Sequence, residues 1–182
     1  MQGYGADVID YVPDDISKFD ARVTLFNSMH IMGHLLQTIP SAPCLKGDFQ
    51  FSGRRMGIAW SGNSRQELNL SSFLSRLNTT GFEVYALQRG EVIDPVIQLK
   101  ARDFKETAAL MRTLDVIVTV DTAAAHLAGA IGHPNTHVVV PYNRDWRWWN
   151  KDVWYPTLNV YPQDTSGDWD KPFQRVNEEI HQ

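Results

Sequence analysis

The sequence has a single cysteine, no long apolar run and no excess of positive charge. Because Cys44 is the only cysteine among 182 residues, the chain can form neither an intrachain disulfide nor a zinc site of several cysteine ligands. No apolar run approaches the roughly 20 residues that a membrane helix needs, and the N-terminus lacks the basic and apolar regions of a signal peptide. We therefore expect a cytoplasmic protein without a membrane span.

The charge balance argues against a further class of function. Lys and Arg together number 17 and Asp and Glu 21, which gives a formal net charge of −4. A broad nucleic-acid-binding surface requires an excess of basic residues, so we expect no nucleic-acid partner, whereas a local basic pocket for a phosphate is compatible with this charge. Hydrophobic residues make up 43% of the chain, which predicts a packed core in one domain, or in one domain with part of a second.

The first 55 residues differ in pattern from the rest of the chain. Short apolar runs at 8–12 and 21–26 are candidate strands, and 29–36 has the pattern of a short helix that ends before Ile39-Pro40. Residues 43–55 contain Pro, Gly and Ser without periodicity, which is typical of a linker.

From residue 56 onward, short apolar runs alternate with helical patterns, which predicts an α/β fold with a doubly wound parallel sheet. The predicted strands are 56–60, 82–87, 96–99, 115–120, 137–140 and 158–161, and the predicted helices are 70–77, 103–114, 122–131 and 171–180. Ligands of such sheets bind beyond the carboxyl ends of the strands. The candidate site residues therefore follow the strands, at 61–63, 88–90, 121–122 and 142–144.

The turn at Asp121 is the most informative of these positions. A β-branched strand leads directly into an Ala-rich helix, and we predict that Asp121 is the N-cap residue of this helix. Thr122, Ala123 and Ala124 then present backbone amides at the positive end of the helix dipole, where phosphate binds. His126 lies four residues after Thr122 and projects from the same face. Spacing alone leaves open the alternative that this is a capped helix without a ligand.

The residues around this turn resemble a known family. Residues 121–130 match the Asp-Thr-(Gly/Ala)-x-x-His-Leu-Ala-x-Ala motif of heptosyltransferase-like glycosyltransferases, and they are closer still to bacterial proteins in which a region similar to O-GlcNAc transferase follows tetratricopeptide repeats. Four further segments agree in order and spacing: 57–63 resembles the first strand and glycine turn of the C-terminal domain, 82–88 the next strand, and 145–148 with 154–156 the aromatic loop.

The resemblance implies the GT-B architecture, in which two Rossmann-like domains enclose a cleft. Residues 55–182 would form the domain that binds the nucleotide-sugar donor. Residues 1–54, with Phe19-Asp20 and Thr38-Ile39-Pro40, resemble the end of the N-terminal domain and the crossover linker. A complete N-terminal domain needs on the order of 100–150 residues, so most of the domain that would carry the acceptor and the catalytic base is missing.

The implied function is binding of a nucleotide-diphosphate sugar for transfer to an acceptor hydroxyl, by a chain that is incomplete for catalysis alone. The alternative is a non-enzymatic module that binds a nucleotide or completes the fold of a partner. A homo-oligomer or the missing N-terminal domain would be the protein partner, and neither a cofactor nor a metal is expected. We assign no catalytic residue.

The resemblance also implies roles for individual residues. The residues that match the donor diphosphate and sugar site are Ser61, Gly62, Asn63, Arg65, Asp121, Thr122, Ala123 and His126, and Gln88 matches the contact to the nucleoside. Relatives have a longer basic stretch after the glycine turn, so Arg65 is the only nearby cation in this sequence. Since Asp121 and a phosphate would repel each other, we assign Asp121 to capping or to hydroxyls of the sugar or ribose.

Three other patterns have both a structural and a functional interpretation. Asp168-Trp169-Asp170 matches a metal-binding Asp-x-Asp, but Asp before a helix is more often a cap. His30 and His34 have metal-ligand spacing without a supporting Glu or Cys, so we expect no metal there. Four tryptophans (Trp146, Trp148, Trp149 and Trp154) lie close to Arg144 and Arg147. They form either a packed loop, which we favour, or a stacking surface for a sugar or base.

Overall fold

The structure is a computed structural model that describes residues 54–62 and 68–182. The candidate strands and helix before residue 37, Cys44, nearly all of the proposed linker, and the proposed remnant of an N-terminal domain lie outside these residues. No helix in the described part of the chain is long and apolar enough to cross a membrane.

The described residues form an α/β fold in which a six-stranded parallel sheet is flanked by helices. The strands are β1 (Arg55–Ala59), β2 (Glu83–Ala86), β3 (Ile97–Gln98), β4 (Val116–Val120), β5 (Thr136–Val140) and β6 (Leu158–Pro162). The helices are α1 (Leu70–Leu74), α2 (Phe104–Met111), α3 (Ala123–Ala130), α4 (Lys151–Trp154) and α5 (Asp170–Ile180), and a 3₁₀ helix spans Trp146–Asn150. All six strands and all four helices predicted for this region are confirmed, whereas the 3₁₀ helix and α4 were not predicted.

The central strands are apolar along their whole length because the sheet is covered on both faces. Every residue of β4 and of β5 is buried, as expected for parallel strands between two helical layers. Side chains alternate between the faces of a strand. Accordingly Val116, Val118 and Val120 belong to one core cluster, with Phe73 and Phe173. Ile117 belongs to the opposite cluster, together with residues of α2 and α3.

The strand order, β3-β2-β1-β4-β5-β6, places the change of winding direction between two central strands. The chain runs outward from β1 to β2 and β3, and then returns to β4 on the other side of β1. In open parallel sheets the crevice at such a switch point, beyond the carboxyl ends of the strands, is the usual ligand site. The turns that border this crevice follow β1 at Trp60-Ser61-Gly62 and β4 at Asp121-Thr122.

Candidate functional site

A cleft of about 510 Å³ lies beside the switch point. It is bordered by the turn after β1, the turn after β2, the end of β3 and the first turns of α2 and α3. The predicted site residues that line it are Ser61, Gln88, Thr122 and Ala123, together with the neighbouring Arg89 and Ala124. The structure therefore brings the turns after β1, β2 and β4 to one cavity, whereas the segment 142–144 after β5 and the predicted residues Gly62, Asp121 and His126 do not border it. Asn63 and Arg65 lie outside the described residues.

The N-cap of α3 is Thr122, and the prediction of Asp121 at this position is wrong. Thr122 has extended backbone angles (φ −140°, ψ 170°), and its Oγ1 accepts a hydrogen bond from the Ala124 amide at 3.2 Å. Both Asp and Thr are good N-cap residues, so their order in the sequence does not decide between them. Because the helix begins one residue later than predicted, Asp121 lies one residue before its N-cap. Its carboxylate oxygen lies 3.7 Å from Nε2 of His126.

The hydroxyl of Thr122 forms hydrogen bonds within the turn between β4 and α3. Thr119 lies on β4 and donates its hydroxyl proton to the Val120 carbonyl at 2.9 Å. Its oxygen lies 3.0 Å from Oγ1 of Thr122. Since the Thr119 proton is already directed at a carbonyl, the proton between the two hydroxyls comes from Thr122. Donation from Thr122 to a phosphate would require this arrangement to change.

The first turn of α3 is open toward the cleft because its side chains are methyl groups. Ala123 is exposed and Ala124 partly exposed, and both line the cavity. The helical hydrogen bonds begin at the His126 amide, which donates to the Thr122 carbonyl at 3.4 Å. The amides before it lie ahead of the helical ladder, at the positive end of the helix dipole, and that of Ala124 donates to the Thr122 hydroxyl. A negatively charged group in the cleft can therefore approach these amides without meeting a bulky side chain.

Gln88 joins two of the predicted site segments. Its Oε1 accepts hydrogen bonds from the amides of Trp60 at 2.8 Å and Ser61 at 3.0 Å. The side chain therefore holds the turn after β1 against the end of β2, while Gln88 also lines the cleft. Contact with a nucleoside stays a prediction, and the structure adds this bracing role, which the sequence did not indicate.

His126 lies in a partly buried aromatic setting behind the α3 N-terminus. Its Nδ1 is 3.1 Å from the Tyr155 hydroxyl, and its ring stacks on Trp148 with centroids 5.1 Å apart and an interplanar angle of 21°. Burial is the main cause that lowers the pKa of His126, and it is opposed by the negative charge of Asp121. The imidazole is therefore neutral at neutral pH in the absence of a ligand.

Tyr155 falls in the segment 154–156 that resembles the aromatic loop of the family, but the sequence did not predict its contact with His126. The ring packs so closely on α3 that a Cβ at Gly129 would lie 2.3 Å from a Tyr155 ring carbon. Gly129 follows His126 by three residues and therefore lies on the same helical face. This glycine is a further sequence signal, because it leaves room for a large group packed beside His126.

Arg102 was also missed in the sequence. It precedes α2, lines the cleft, and donates from Nε to Glu106 at 2.7 Å. Arg89 lines the same cavity. Two guanidinium groups therefore border the cleft, of which that of Arg102 is paired with Glu106, and the Asp103 carboxylate lines the same cavity.

The four tryptophans have separate environments. Trp148 is 3% exposed and packs on His126, whereas Trp146 and Trp149 are 50% and 64% exposed. The guanidinium of Arg144 lies 3.5 Å from the centroid of the Trp149 ring, and Trp154 meets Trp146 edge to face with centroids 5.6 Å apart. None of the four borders the 510 Å³ cleft. Packing through Trp148 is therefore the observed role of this loop.

The Asp-x-Asp segment is arranged as a helix start. Asp168 accepts a hydrogen bond from the Asp170 amide at 3.1 Å, and Asp170 forms an ion pair with Arg76 at 2.7 Å. Within residues 54–62 and 68–182, no group of three or more His, Cys, Asp or Glu side chains is placed to hold a metal ion. His30 and His34 lie outside this part of the chain.

No family model, no curated protein and no solved structure matches this chain. The Rossmann-like parallel sheet is accordingly established by the structure itself.

Proposed function

We propose that the cleft binds the diphosphate of a nucleotide sugar, and that the chain is the donor-binding part of a glycosyltransferase. The observation that carries this proposal is the opening of the α3 N-terminus, with its small Ala123 and Ala124 side chains, into a cavity at the switch point of a parallel sheet. Helix amides at such a position bind phosphate through their N–H groups and the helix dipole.

The size and lining of the cleft support a ligand larger than a phosphate alone. Its volume of about 510 Å³ falls in the range of small-molecule sites, roughly 300–1,000 Å³. The diphosphate would lie at Ala123 and Ala124. The base would extend toward Leu99 and Phe104, which supply apolar surface, and toward Arg102, whose guanidinium is paired with Glu106.

In glycosyl transfer the departing diphosphate gains negative charge, so groups that already point at it lower the barrier. In this proposal the first-turn amides of α3 supply that stabilisation, with His126 behind them. The acceptor hydroxyl requires a base, and we place that base and the acceptor in the second domain that the family resemblance implies. Nucleotide binding without transfer is the competing function, and the same cleft would serve it.

A panel of nucleosides, monophosphates, diphosphates and sugar diphosphates of uracil, guanine and adenine tests the proposal by thermal shift and calorimetry. We expect the diphosphates of at least one base to stabilise the fold and the corresponding nucleoside to do so far less. Saturation at 100 times Kd would add about 2.7 kcal/mol to the free energy of unfolding. Absence of stabilisation by every compound at millimolar concentration contradicts the proposal.

A matched pair of variants locates the binding at α3. Ala123→Asp places a carboxylate in the first turn of α3, where it favours the helix dipole but repels a phosphate. Ser71→Asp adds the same charge in the first turn of α1, at an exposed residue that does not line the cleft. We expect diphosphate affinity to fall at least tenfold in the first variant and to be unchanged in the second. Equal affinities in the two variants would place the diphosphate elsewhere.

Release of free nucleoside diphosphate from a sugar nucleotide, with and without added acceptors, separates the two functions. Turnover that Ala123→Asp abolishes supports the transferase. Binding without any turnover, also in the presence of a complementing N-terminal domain, supports the binding module.

A further inference from the structure

The imidazole of His126 is held on three sides, by groups from three different segments. Tyr155, directly after α4, has its hydroxyl 3.1 Å from Nδ1. Trp148 of the 3₁₀ helix stacks on the ring face, and Asp121 places a carboxylate oxygen 3.7 Å from Nε2. A half-turn of the ring would keep the stack on Trp148 but would replace Nδ1 by a carbon at the Tyr155 hydroxyl, so the contact with Tyr155 gives the two nitrogens distinct surroundings.

These surroundings select one tautomer of the neutral ring. A carboxylate only accepts hydrogen bonds, whereas a tyrosine hydroxyl both donates and accepts. At 3.7 Å from Nε2, the negative charge of Asp121 favours the tautomer with its proton on that nitrogen. The Tyr155 hydroxyl then donates to the unprotonated Nδ1. Nε2 then faces the Asp121 carboxylate, in the turn that precedes the first turn of α3, where the diphosphate is proposed to bind.

The same hydroxyl can serve the charged ring. When His126 gains a proton on Nδ1, Tyr155 turns its hydroxyl and accepts from the new N–H without moving its oxygen. A side chain that could only donate would leave this N–H without a partner in a half-buried place, and such a loss is costly for a charged group. Tyr155 thus suits both protonation states.

We propose that Tyr155 is a positioning residue that keeps His126 at the α3 N-terminus in both protonation states, so that a nucleoside diphosphate binds together with a proton. This inference rests on the proposed function of the cleft. It adds to that function a dependence of binding on pH, and it assigns a role to Tyr155, which does not line the cavity.

The charges that face His126 explain why a ligand would change its protonation. Asp121 from the turn raises the pKa, and burial and Arg147 of the 3₁₀ helix lower it. Asp145 also raises it, but Asp145 is paired with Arg147 at 2.6 Å, so the two largely offset each other. A diphosphate adds at least two negative charges nearby and raises the pKa of the imidazole.

The direction of the pH dependence follows. Without ligand the pKa of His126 lies below its ordinary value of 6.5, and with a diphosphate it lies higher. Between these two values, binding takes up a proton, so affinity falls as the pH rises. The limit for one proton is tenfold per pH unit.

The packing of the Tyr155 ring against α3 fixes the position of its hydroxyl. Because a Cβ at Gly129 would overlap the Tyr155 ring, the ring occupies the space that this glycine leaves. Tyr155→Phe keeps the ring in that space and removes only the hydroxyl. Tyr142→Phe is the matched control, since Tyr142 is 50% exposed and does not contact His126.

Calorimetry with UDP, GDP and ADP in two buffers of different ionisation enthalpy measures the proton uptake. For the diphosphate that binds best, we expect uptake of up to one proton near pH 7 in the wild-type chain and in Tyr142→Phe. In Tyr155→Phe we expect the uptake to be largely lost and the affinity at pH 6 to fall on the order of tenfold. Binding without proton uptake in the wild-type chain overturns this inference and leaves the proposed function standing.

A measurement without ligand distinguishes failure of the positioning role of Tyr155 from failure of the proposed function. ¹⁵N side-chain spectra of His126 report its tautomer directly, and we expect the Nε2–H form in the wild-type chain and a mixed population in Tyr155→Phe. Thermal melting of each variant confirms that it is folded. An unchanged tautomer in Tyr155→Phe refutes the positioning role, whereas failure of every diphosphate to bind refutes the proposed function and with it the proton-linked step.

Discussion

Single polar side chains determine the shape of the candidate site more than the predicted ligand contacts do. Gln88 is the clearest case, because one amide oxygen accepts from two successive amides of the turn after β1. The hydrogen bond from Trp60 is partly buried and that from Ser61 is exposed, so loss of the acceptor should cost near the low end of the about 1–3 kcal/mol that applies to buried groups. The bracing role of Gln88 can therefore be measured without any ligand, as a change in the free energy of unfolding.

Replacement of Gln88 separates bracing from nucleoside contact. Gln88→Leu removes the acceptor, and we expect the free energy of unfolding to fall by about 1–2 kcal/mol. Gln88→Glu retains an oxygen at the same place, so the loss should be smaller. Urea denaturation of both variants measures the difference. If Leu and Glu cost the same, the two hydrogen bonds do not contribute to stability.

At the scale of elements, the segment between β5 and β6 shows how a short helix distributes its side chains. A 3₁₀ helix has three residues per turn, so residues three apart project from the same side. Trp146 and Trp149 share one side and are exposed, whereas Trp148 faces inward and is buried. One ring therefore anchors the segment to α3.

The two neighbouring tryptophans should differ widely in their effect on stability. Trp148→Ala removes a buried ring and should cost about 3–5 kcal/mol, whereas Trp149→Ala removes an exposed ring and should cost less than about 1 kcal/mol. Chemical denaturation monitored by circular dichroism compares them. Similar losses in the two variants would contradict the assignment of Trp148 as the anchor.

Gly129 gives a second prediction for the contact between α3 and the aromatic segment. Alanine favours a helix over glycine by roughly 1 kcal/mol, but here its Cβ would overlap the Tyr155 ring. We expect Gly129→Ala to destabilise the chain by about 1–3 kcal/mol. In a Tyr155→Ala background the same substitution should become stabilising. Denaturation of the four chains of this double-mutant cycle gives the sign in each background.

Elements were predictable from the sequence where they depend on local periodicity, and contacts were not. The buried strands β4 and β5 and the Ala-rich α3 are visible as apolar runs and helical spacing. The pairing of His126 with Tyr155, and of Gln88 with Trp60, joins residues 28 or 29 positions apart. No local pattern specifies such pairs. The shift of the N-cap from Asp121 to Thr122 has the same origin, since Thr119 on the sheet fixes the Thr122 hydroxyl.

On the scale of the whole molecule, buried histidines make the stability of the fold depend on pH. His137 on β5 is 2% exposed and lies between the Tyr161 hydroxyl at 2.8 Å and the Asn135 side-chain oxygen at 2.7 Å. Burial lowers the pKa of His137 to about 4, against the opposing charge of Glu179. Burial also lowers the pKa values of His126 and His133. All three groups therefore resist protonation in the folded chain.

The stability of the fold should consequently decrease on acidification through this range. An unfolded histidine titrates near pH 6.5, so between pH 6.5 and about 4 the unfolded chain binds a proton that folded His137 does not. Stability is full above pH 6.5 and is lost as the pH falls toward 4, by on the order of 3 kcal/mol for this residue. His137→Gln should reduce the slope of unfolding free energy against pH by up to one proton. Urea denaturation at several pH values between 4.5 and 7.5 measures these slopes, and equal slopes for the wild-type chain and His137→Gln would show that His137 is protonated in the folded state.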